Sequence, residues 1–230
     1  MGQDVISAHY QNAVPEIFDG LETRVHALLR LARKDLKDRL PLSLLNIGAG
    51  NGYLEYEAQK RGFKVSSIDP DAATCERLKA KGVDAHVGLI EQVPMSSASC
   101  DVVIATEVLE HLALDTMKAG LTEISRVLKP GGRFIGTVPY QENLAHGQVM
   151  CPDCRRPFHT RGHQQSFSAS SLRIKLADHF HVIICKPVLY PPWTVLNWKG
   201  RIISSIQLTL SMVGFHGSTS NLMFVCRKGH

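Results

Sequence analysis

The sequence lacks long apolar runs and an export signal. No stretch of roughly 18 or more consecutive apolar residues occurs in the 230 residues, so no segment is typical of a membrane-spanning helix. The first residues, Met1 to Asp4, lack the basic and then apolar pattern of a secretory signal peptide. These two absences predict a soluble, cytoplasmic protein.

Acidic residues are scarce in the second half of the chain. Residues 1–120 hold 13 basic and 17 acidic residues, whereas residues 121–230 hold 13 basic and only 4 acidic residues. The halves therefore carry formal charges of −4 and +9, within a net charge of +5. A basic half is typical either of a surface that meets phosphate, nucleic acid or a membrane face, or of a plain solvated face, and composition leaves both open.

Three glycines at alternate positions, Gly48, Gly50 and Gly52, follow an apolar run that starts at Leu44. This pattern predicts a buried strand, a tight turn and the first turn of a helix, with backbone N–H groups open to a ligand. Dinucleotide binders need a glycine at the sixth position, and Tyr53 stands there instead. The missing glycine argues against a nicotinamide or flavin site.

Strand and helix patterns alternate through the first 139 residues. Apolar residues at helical spacing from Glu16 to Arg39 predict one or two amphipathic helices. Five predicted strands follow, and a sixth and seventh occur near the end of the chain. The predicted strands are 44–47, 63–68, 83–87, 101–105, 133–138, 182–185 and 221–226, and the helices between them are 53–61, 71–81, 116–128 and 168–179.

This alternation predicts an α/β fold with a doubly wound, Rossmann-like sheet. We expect one domain over residues 1–230. Its parts are N-terminal helices at 1–40, a core at 41–139, a Cys/His insert at 140–167, and C-terminal elements at 168–230 that include an insert at 190–216.

Asp69 ends the second predicted strand, 21 residues after Gly48. A carboxylate at that place lies beside the first turn and accepts hydrogen bonds from two ribose hydroxyls. Asp69 is also able to cap the next helix, but Asp71 can do that equally well.

Five motifs in order resemble the class I S-adenosylmethionine-dependent methyltransferases, in the small-molecule subgroup that includes ubiquinone-pathway enzymes. They cover about residues 40–140 and imply a seven-stranded sheet with its last strand antiparallel. The motifs are Asn-Ile-Gly-Ala-Gly-Asn-Gly at 46–52, Ile-Asp-Pro at 68–70, Asp-Val-Val-Ile at 101–104, Glu-Val-Leu-Glu-His-Leu at 107–112 and Leu-Lys-Pro-Gly-Gly at 128–132.

The resemblance implies how the methyl donor is held. The glycine turn cradles its amino-acid part, the acid after strand two holds the ribose, and residues 89–91 frame adenine. The implied cofactor residues are Asn46, Gly48, Ala49, Gly50, Asp69, Pro70, Leu89, Ile90 and Glu107. The chain departs from the family at Asn46, where an acid is usual, and at Leu89, where Asp is frequent; leucine cannot accept from the adenine amino group.

The implied reaction is transfer of the sulfonium methyl group to O, N or C of a small or carrier-linked acceptor. Positioning does most of this work, because the donor is already activated. His111 and Glu107 are the candidate bases if the acceptor must lose a proton. No Asn-Pro-Pro-Tyr or Asp-Pro-Pro-Tyr follows strand four, which argues against methylation of base amines and makes nucleic acid an unfavoured partner.

Cys151, Cys154, His159 and His163 have the spacing C-x2-C-x4-H-x3-H. Four such ligands complete a tetrahedral structural zinc site, and His146 is a reserve ligand. The alternative is a reduced or redox-active cysteine pair with two surface histidines. The other cysteines, Cys75, Cys100, Cys185 and Cys226, stand alone and are expected to be small core residues.

Residues 193–213 hold an apolar stripe with Lys199 and Arg201 at its start. The stripe fits an interfacial helix that contacts lipid or covers an apolar substrate, but packing in the core is the commoner role and the one we expect. A second functional hypothesis is a non-catalytic module that uses this fold, with a zinc insert and a basic face that bind a partner.

Overall fold

A computed structural model describes residues 20–34, 36, 41–215 and 220–229. Helices separate the first five strands, except that a loop over residues 88–99 joins the third strand to the fourth. The helices are α1 (Glu22–Arg33), α2 (Tyr53–Lys60), α3 (Ala72–Lys79), α4 (Leu114–Val127), α5 (Ala169–Ala177) and α6 (Trp198–Met212), and the strands are β1 (Ser43–Ile47), β2 (Lys64–Asp69), β3 (Asp84–Val87), β4 (Cys100–Thr106), β5 (Leu128–Pro139), β6 (Gln148–Met150), β7 (Pro157–His159), β8 (His181–Val188) and β9 (Asn221–Arg227).

Seven of these strands form one sheet in the order β3-β2-β1-β4-β5-β9-β8. The first five are parallel, and β9 lies antiparallel between β5 and β8. The central strands are apolar on both faces because helices cover both sides, as the alternation predicts. The predicted α/β fold with an antiparallel last strand is therefore confirmed.

Two apolar clusters fill the space between the sheet and its helices. Val102 and Ile104 of β4 face one cluster with α1, α2 and α3, whereas Val103 and Ala105 face the other with α4 and α5. This division follows from the twofold alternation of side chains along a strand. Cys75, Cys100, Cys185 and Cys226 are buried in these clusters, as expected.

The predicted N-terminal helices are described only in part. Helix α1 holds buried Val25, Leu28 and Leu29, which the helical spacing picked out. Residues 1–19, 35 and 37–40 lie outside the described part of the chain, so the beginning and end of that prediction fall there. The other predicted strands and helices occur within about three residues of their expected bounds, except that β5 begins five residues earlier than expected, at Leu128.

The amino end of the sheet is joined by polar contacts around Asp101. Its Oδ2 accepts hydrogen bonds from the Ser43 hydroxyl (2.7 Å) and the Lys129 ammonium (2.8 Å). Burial raises the pKa of Asp101, but the bonds from Lys129 and Ser43 outweigh burial and leave the pKa below its ordinary value. These contacts tie β1, β4 and β5 together at the end of the sheet opposite the glycine turn.

Two segments extend from the sheet. Strands β6 and β7 form an antiparallel hairpin after β5, and α6 lies between β8 and β9. None of the helices in the described residues has the length and apolar character needed to cross a bilayer.

Candidate functional site

A cavity of about 710 Å³ opens at the carboxyl ends of β1, β2 and β4. In parallel α/β sheets this is the edge where ligands bind. Helix α1 and the loop after β7 close its other sides. The walls are formed by Leu21, Arg24, Val25, Asn46–Asn51, Leu54, Ile68–Pro70, Gly88–Glu91, Thr106–Val108, Glu110–Leu112, Thr116, Arg161 and His163.

All nine predicted cofactor residues line this cavity, and so does His111. The predicted cofactor residues therefore lie together in one place, and their contact with a cofactor stays a prediction. Of the four predicted zinc ligands, only His163 lies in the wall.

The glycine turn adopts left-handed backbone conformations that favour glycine. The φ angles are +81° at Gly48, +55° at Gly50 and +83° at Gly52. A Cβ at Gly48 would also come within 2.8 Å of Val108. The turn therefore depends on both the free backbone and the lack of side chains, and it leaves α2 with its N-terminus toward the cavity.

Asp69 fastens this turn from the neighbouring strand. Its carboxylate accepts hydrogen bonds from the Ala49 N–H and the Asp71 N–H, each at 2.9 Å, and the residue is 1% exposed. A carboxylate has about four lone-pair sites, so its chemistry allows more than two accepted bonds. Asp71 caps α3 by accepting from Thr74 N–H, as the sequence allowed, so the cap does not require Asp69.

Asn46 is held by a buried acid beneath the turn. Its amide donates to Glu55 Oε1 (2.7 Å), which also accepts from the Ser67 hydroxyl (2.7 Å). Burial raises the pKa of Glu55 despite these two bonds. Within the described residues, Asn46 Oδ1 and Glu55 Oε2 have no hydrogen-bond partner. The buried acid that contacts position 46 is thus on α2.

Glu55→Gln is expected to stabilise the protein at neutral and higher pH. Because the pKa of Glu55 is raised in the folded state, its ionisation does not reduce the free energy of unfolding of the wild type below the ordinary pKa of 4.5. That free energy then falls as pH rises through the folded-state pKa. Glutamine never ionises, so its advantage should grow with pH to about 1 kcal/mol. Urea unfolding at about pH 5 and about pH 8 measures the difference. A variant less stable than wild type at the higher pH would contradict the assignment.

Leu89, Ile90 and Glu91 form the wall expected to meet adenine. Leu89 is half exposed, whereas Ile90 is buried and packs on Gly120 of α4. A Cβ on Gly120 would approach Ile90 to 2.9 Å, so the glycine allows the helix to come close to this wall. The segment is therefore apolar at Leu89 and Ile90, and adenine would meet backbone groups there.

Glu107 follows β4 in a left-handed conformation with φ at +54°. Its Oε1 accepts from Thr137 Oγ1 (2.8 Å) and Asn221 Nδ2 (3.0 Å), and it pairs with Arg24 (3.2 Å). Left-handed non-glycine residues cluster at functional sites. Taking a proton would weaken all three contacts, so the geometry favours Glu107 as an anchor between β4, β5, β9 and α1 over its predicted role as a base.

His111 and His163 meet where the cavity approaches the insert. Their rings are 4.7 Å apart in an edge-to-face arrangement, and His159 stacks on His163 at 4.9 Å. Burial, together with the nearby His163, lowers the pKa of His111 to about 4. His111 is therefore neutral at physiological pH, and its role as a base stays a prediction.

The predicted Cys2His2 zinc site is not assembled. The structure places Cys151 and Cys154 in the turn between β6 and β7, whereas His159 pairs with Gln148 at the other end of the hairpin. Since each strand residue advances the chain by about 3.3 Å, the hairpin separates the two pairs. No group of three or more metal-binding side chains in the described residues includes a cysteine, and the reserve ligand His146 instead contacts Asn143. The four-ligand prediction was wrong in this respect.

Sequence reasoning gave no individual role in the site to four charged residues of this region. Arg24, Glu110 and Arg161 line the cavity, and Glu142 contacts His163 Nδ1 at 2.5 Å. Glu110 was quoted only as part of a motif, although a glutamate next to a predicted catalytic histidine was a usable signal. Arg24 and Glu142 gave no such signal, because neither lies in a sequence motif that indicates a functional site.

Comparison with known proteins gives a family match over part of the chain. Residues 45–136 match the family described as a methyltransferase domain, which is less than half of the chain. The match contains the glycine turn, Asp69 and the segment after β4.

Two curated relatives support the same assignment. Dimethylglycine N-methyltransferase of Parasynechococcus marenigrum is 34% identical over 149 residues, which are 60% of this chain and 51% of that protein. Ubiquinone biosynthesis O-methyltransferase of Paramagnetospirillum magneticum is 37% identical over 101 residues, 41% of this chain and 39% of that protein. The chain thus spans about half or less of the length of these relatives.

The fold also resembles solved structures over nearly its whole length. N-methyltransferase NodS from Bradyrhizobium japonicum WM9, solved with S-adenosyl-L-homocysteine, has a TM-score of 0.62 and 17% identity. The likeness covers 98% of this chain and 97% of that chain. At this identity it shows a shared fold.

Proposed function

We propose that this chain, which carries a class I S-adenosylmethionine-dependent methyltransferase domain, transfers a methyl group from S-adenosylmethionine to an apolar or lipid-linked acceptor. One observation carries the proposal: a single cavity joins the glycine turn and Asp69 to a second region lined by His111, Arg161 and His163. A donor and an acceptor can therefore meet in one enclosed space.

The cavity fits S-adenosylmethionine. Its volume is within the range of about 300–1,000 Å³ that is usual for small-molecule sites. Gly48 and Gly50 keep side chains away from the place of the amino-acid part, and the N-terminus of α2 offers backbone N–H groups to its carboxylate. Asp69, Leu89 and Ile90 line the same cavity, so in this proposal Asp69 would accept from the ribose hydroxyls and the two apolar residues would contact adenine.

When bound, the donor supplies an electrophilic methyl group on a sulfonium sulfur. In the transfer the carbon–sulfur bond breaks, a bond to the acceptor forms, and the sulfonium becomes a neutral thioether. The chain's own residues would orient the reactants. The glycine turn and Asp69 would hold the donor on one side of the cavity. Arg24, which pairs with Glu107, and His111 form the wall on the other side. Such positioning supplies most of the rate in a reaction with an activated donor.

Helix α6 supports an apolar, membrane-associated acceptor. It is not a core helix, contrary to the sequence-based expectation, because Ile202, Ile203 and Ile206 are each more than half exposed. Ser204, on the opposite side of the helix, is buried instead. Lys199 and Arg201 lie at its start and no acidic residue occurs between 198 and 212. An apolar helix face with basic residues is typical of contact with an anionic phospholipid surface.

A labelled-methyl assay tests the proposal. The protein is incubated with methyl-labelled S-adenosylmethionine and either an organic extract of bacterial membranes or an aqueous metabolite pool, and Asp69→Asn serves as the control for binding at the turn. We expect label in the organic fraction, lost in the variant. Binding of the donor without label in either pool would favour the non-catalytic module, and label in the aqueous pool alone would remove the lipid-linked acceptor.

A further inference from the structure

We propose that Glu110, His111 and His163 bind a divalent transition-metal ion in the wall of the cavity. Each offers one ligand atom, and these atoms lie within 4.8 Å of one another. All three residues line the cavity, so an ion held by them would face the space assigned to the reactants. This ligand set shares only His163 with the Cys2His2 pattern of the sequence.

The Glu110 side chain is a buried acid without a hydrogen-bonded side-chain partner in the described part of the chain. It is completely buried, and neither carboxyl oxygen has a hydrogen-bond partner among the residues that the structure describes. A buried carboxyl group without partners costs roughly 1–3 kcal/mol even when it is protonated, and more as an anion. A cation bound at these oxygens would remove that cost. Burial, with a smaller contribution from Glu107, holds the pKa of Glu110 well above its usual range in the metal-free protein.

The two histidines are oriented as metal-binding histidines usually are. Nδ1 of His163 contacts Glu142 Oε2 at 2.5 Å, which leaves Nε2 as its ligand atom. The ring of His111 has a hydrogen bond to the backbone of Gly162. Contacts from a carboxylate or a backbone carbonyl to the second ring nitrogen fix the tautomer and orientation of metal ligands. Glu142 is therefore a positioning residue for the proposed site.

The donor set favours a borderline first-row ion such as Zn²⁺ or Co²⁺. Two imidazoles and one carboxylate suit such ions better than Mg²⁺ or Ca²⁺, which prefer oxygen ligands. The Glu110 and Glu142 carboxylates can balance the charge of the ion. Three protein ligands also leave coordination positions open, unlike a closed structural site.

The open positions indicate an acceptor with an oxygen nucleophile, an inference that rests on the proposed function. An acceptor hydroxyl bound to the ion would have a lowered pKa, so its proton could pass to solvent and leave a metal-bound oxyanion. That oxygen would then form the bond to the methyl carbon. The ion is neither oxidised nor reduced during these reaction steps. It would also remove the need for His111 to act as a base.

Cobalt binding tests the site without any methyl transfer. The full chain, purified without a histidine tag and stripped of metal, is titrated with Co²⁺ and followed by calorimetry and visible absorption. We expect one ion per chain, with weak visible bands but no thiolate-to-cobalt charge transfer in the near ultraviolet. Glu110→Gln and His163→Asn should each weaken binding about 100-fold, and Glu142→Gln about 10-fold.

The double variant Cys151→Ser, Cys154→Ser is the matched control and should bind Co²⁺ as the wild type does. The thermal unfolding midpoint of each metal-free variant is compared with that of the wild type, to distinguish loss of Co²⁺ binding from loss of the fold. The proposal is overturned if Co²⁺ does not bind, if thiolate bands appear and vanish in the cysteine variant, or if Glu110→Gln binds with wild-type affinity. Metal binding with no methylated product would instead contradict the proposed function and leave the site intact.

Discussion

Asp69→Asn is expected to weaken binding of S-adenosylmethionine about 100-fold, equivalent to about 2.7 kcal/mol. The Asp69 carboxylate accepts from two backbone N–H groups, and under the proposed function it would also accept from the ribose hydroxyls. In asparagine, one carboxylate oxygen is replaced by an NH₂ group, which is itself a donor and cannot accept a hydrogen bond. The negative charge that strengthens the remaining hydrogen bonds would also be lost. Titration calorimetry with S-adenosylmethionine and its demethylated product measures the loss.

Asp71→Asn provides the matched control, since it makes the same chemical change two residues away. Asp71 caps α3 and does not line the cavity, and asparagine is also a good helix cap. Its affinity for the donor should therefore stay within about twofold of wild type, a factor well below the tenfold that 1.4 kcal/mol produces. Equal affinity in Asp69→Asn and wild type would remove Asp69 from the binding site. Thermal unfolding without ligand separates this outcome from a loosened turn.

Replacing Ile202, Ile203 and Ile206 together by serine is expected to reduce binding to anionic phospholipid vesicles about 100-fold. The 15 residues of α6 form a helix about 22 Å long whose isoleucines face solvent. Partial burial of each in the interface would contribute about 1 kcal/mol, because complete burial contributes roughly 1.5–3 kcal/mol. Vesicle co-sedimentation measures the partition coefficient. Added salt should weaken wild-type binding through Lys199 and Arg201.

Ile174→Ser is the control for this experiment. Ile174 lies on α5 and is 69% exposed, so it offers the same substitution at a solvent-facing site away from α6. Its vesicle binding should equal that of the wild type. If the triple variant binds vesicles normally, α6 does not contact lipid. If the wild type instead forms a dimer that the triple variant lacks, as sedimentation velocity would show, the face belongs to a second copy of the chain.

The fold was predictable because local and global signals agree in the first 139 residues. Individual elements are specified by local signals, such as the apolar run of β4, the glycines after helices and Asp71 at the start of α3. The order of these strands and helices along the chain permits few topologies. The glycine turn and Asp69 were predictable for the same reason: parallel strands end at one edge, so residues just after β1 and β2 must meet there.

The Cys/His region could not be predicted from spacing, since spacing does not specify hairpin register. The pairing of Gln148 with His159 places the histidines away from Cys151 and Cys154. The short 3₁₀ turn at Leu109–His111 then brings Glu110 and His111 to His163, which is more than 50 residues further along the chain. The prediction that α6 packs in the core was wrong for a different reason. Periodicity identifies a helix with an apolar face, but it does not show whether the rest of the protein covers that face.

The insertion of β9 between β5 and β8 affects when the protein can become active during synthesis. Strand β8 pairs only with β9 within the described residues, so it has no place in the sheet until residues 221–227 have left the ribosome. Asn221, at the start of that strand, also donates to Glu107 beside the cavity. The anchor of the site is therefore completed by a segment that emerges 114 residues after Glu107. A nascent chain would have the glycine turn early but would acquire a finished pocket only after residues 221–227 had emerged.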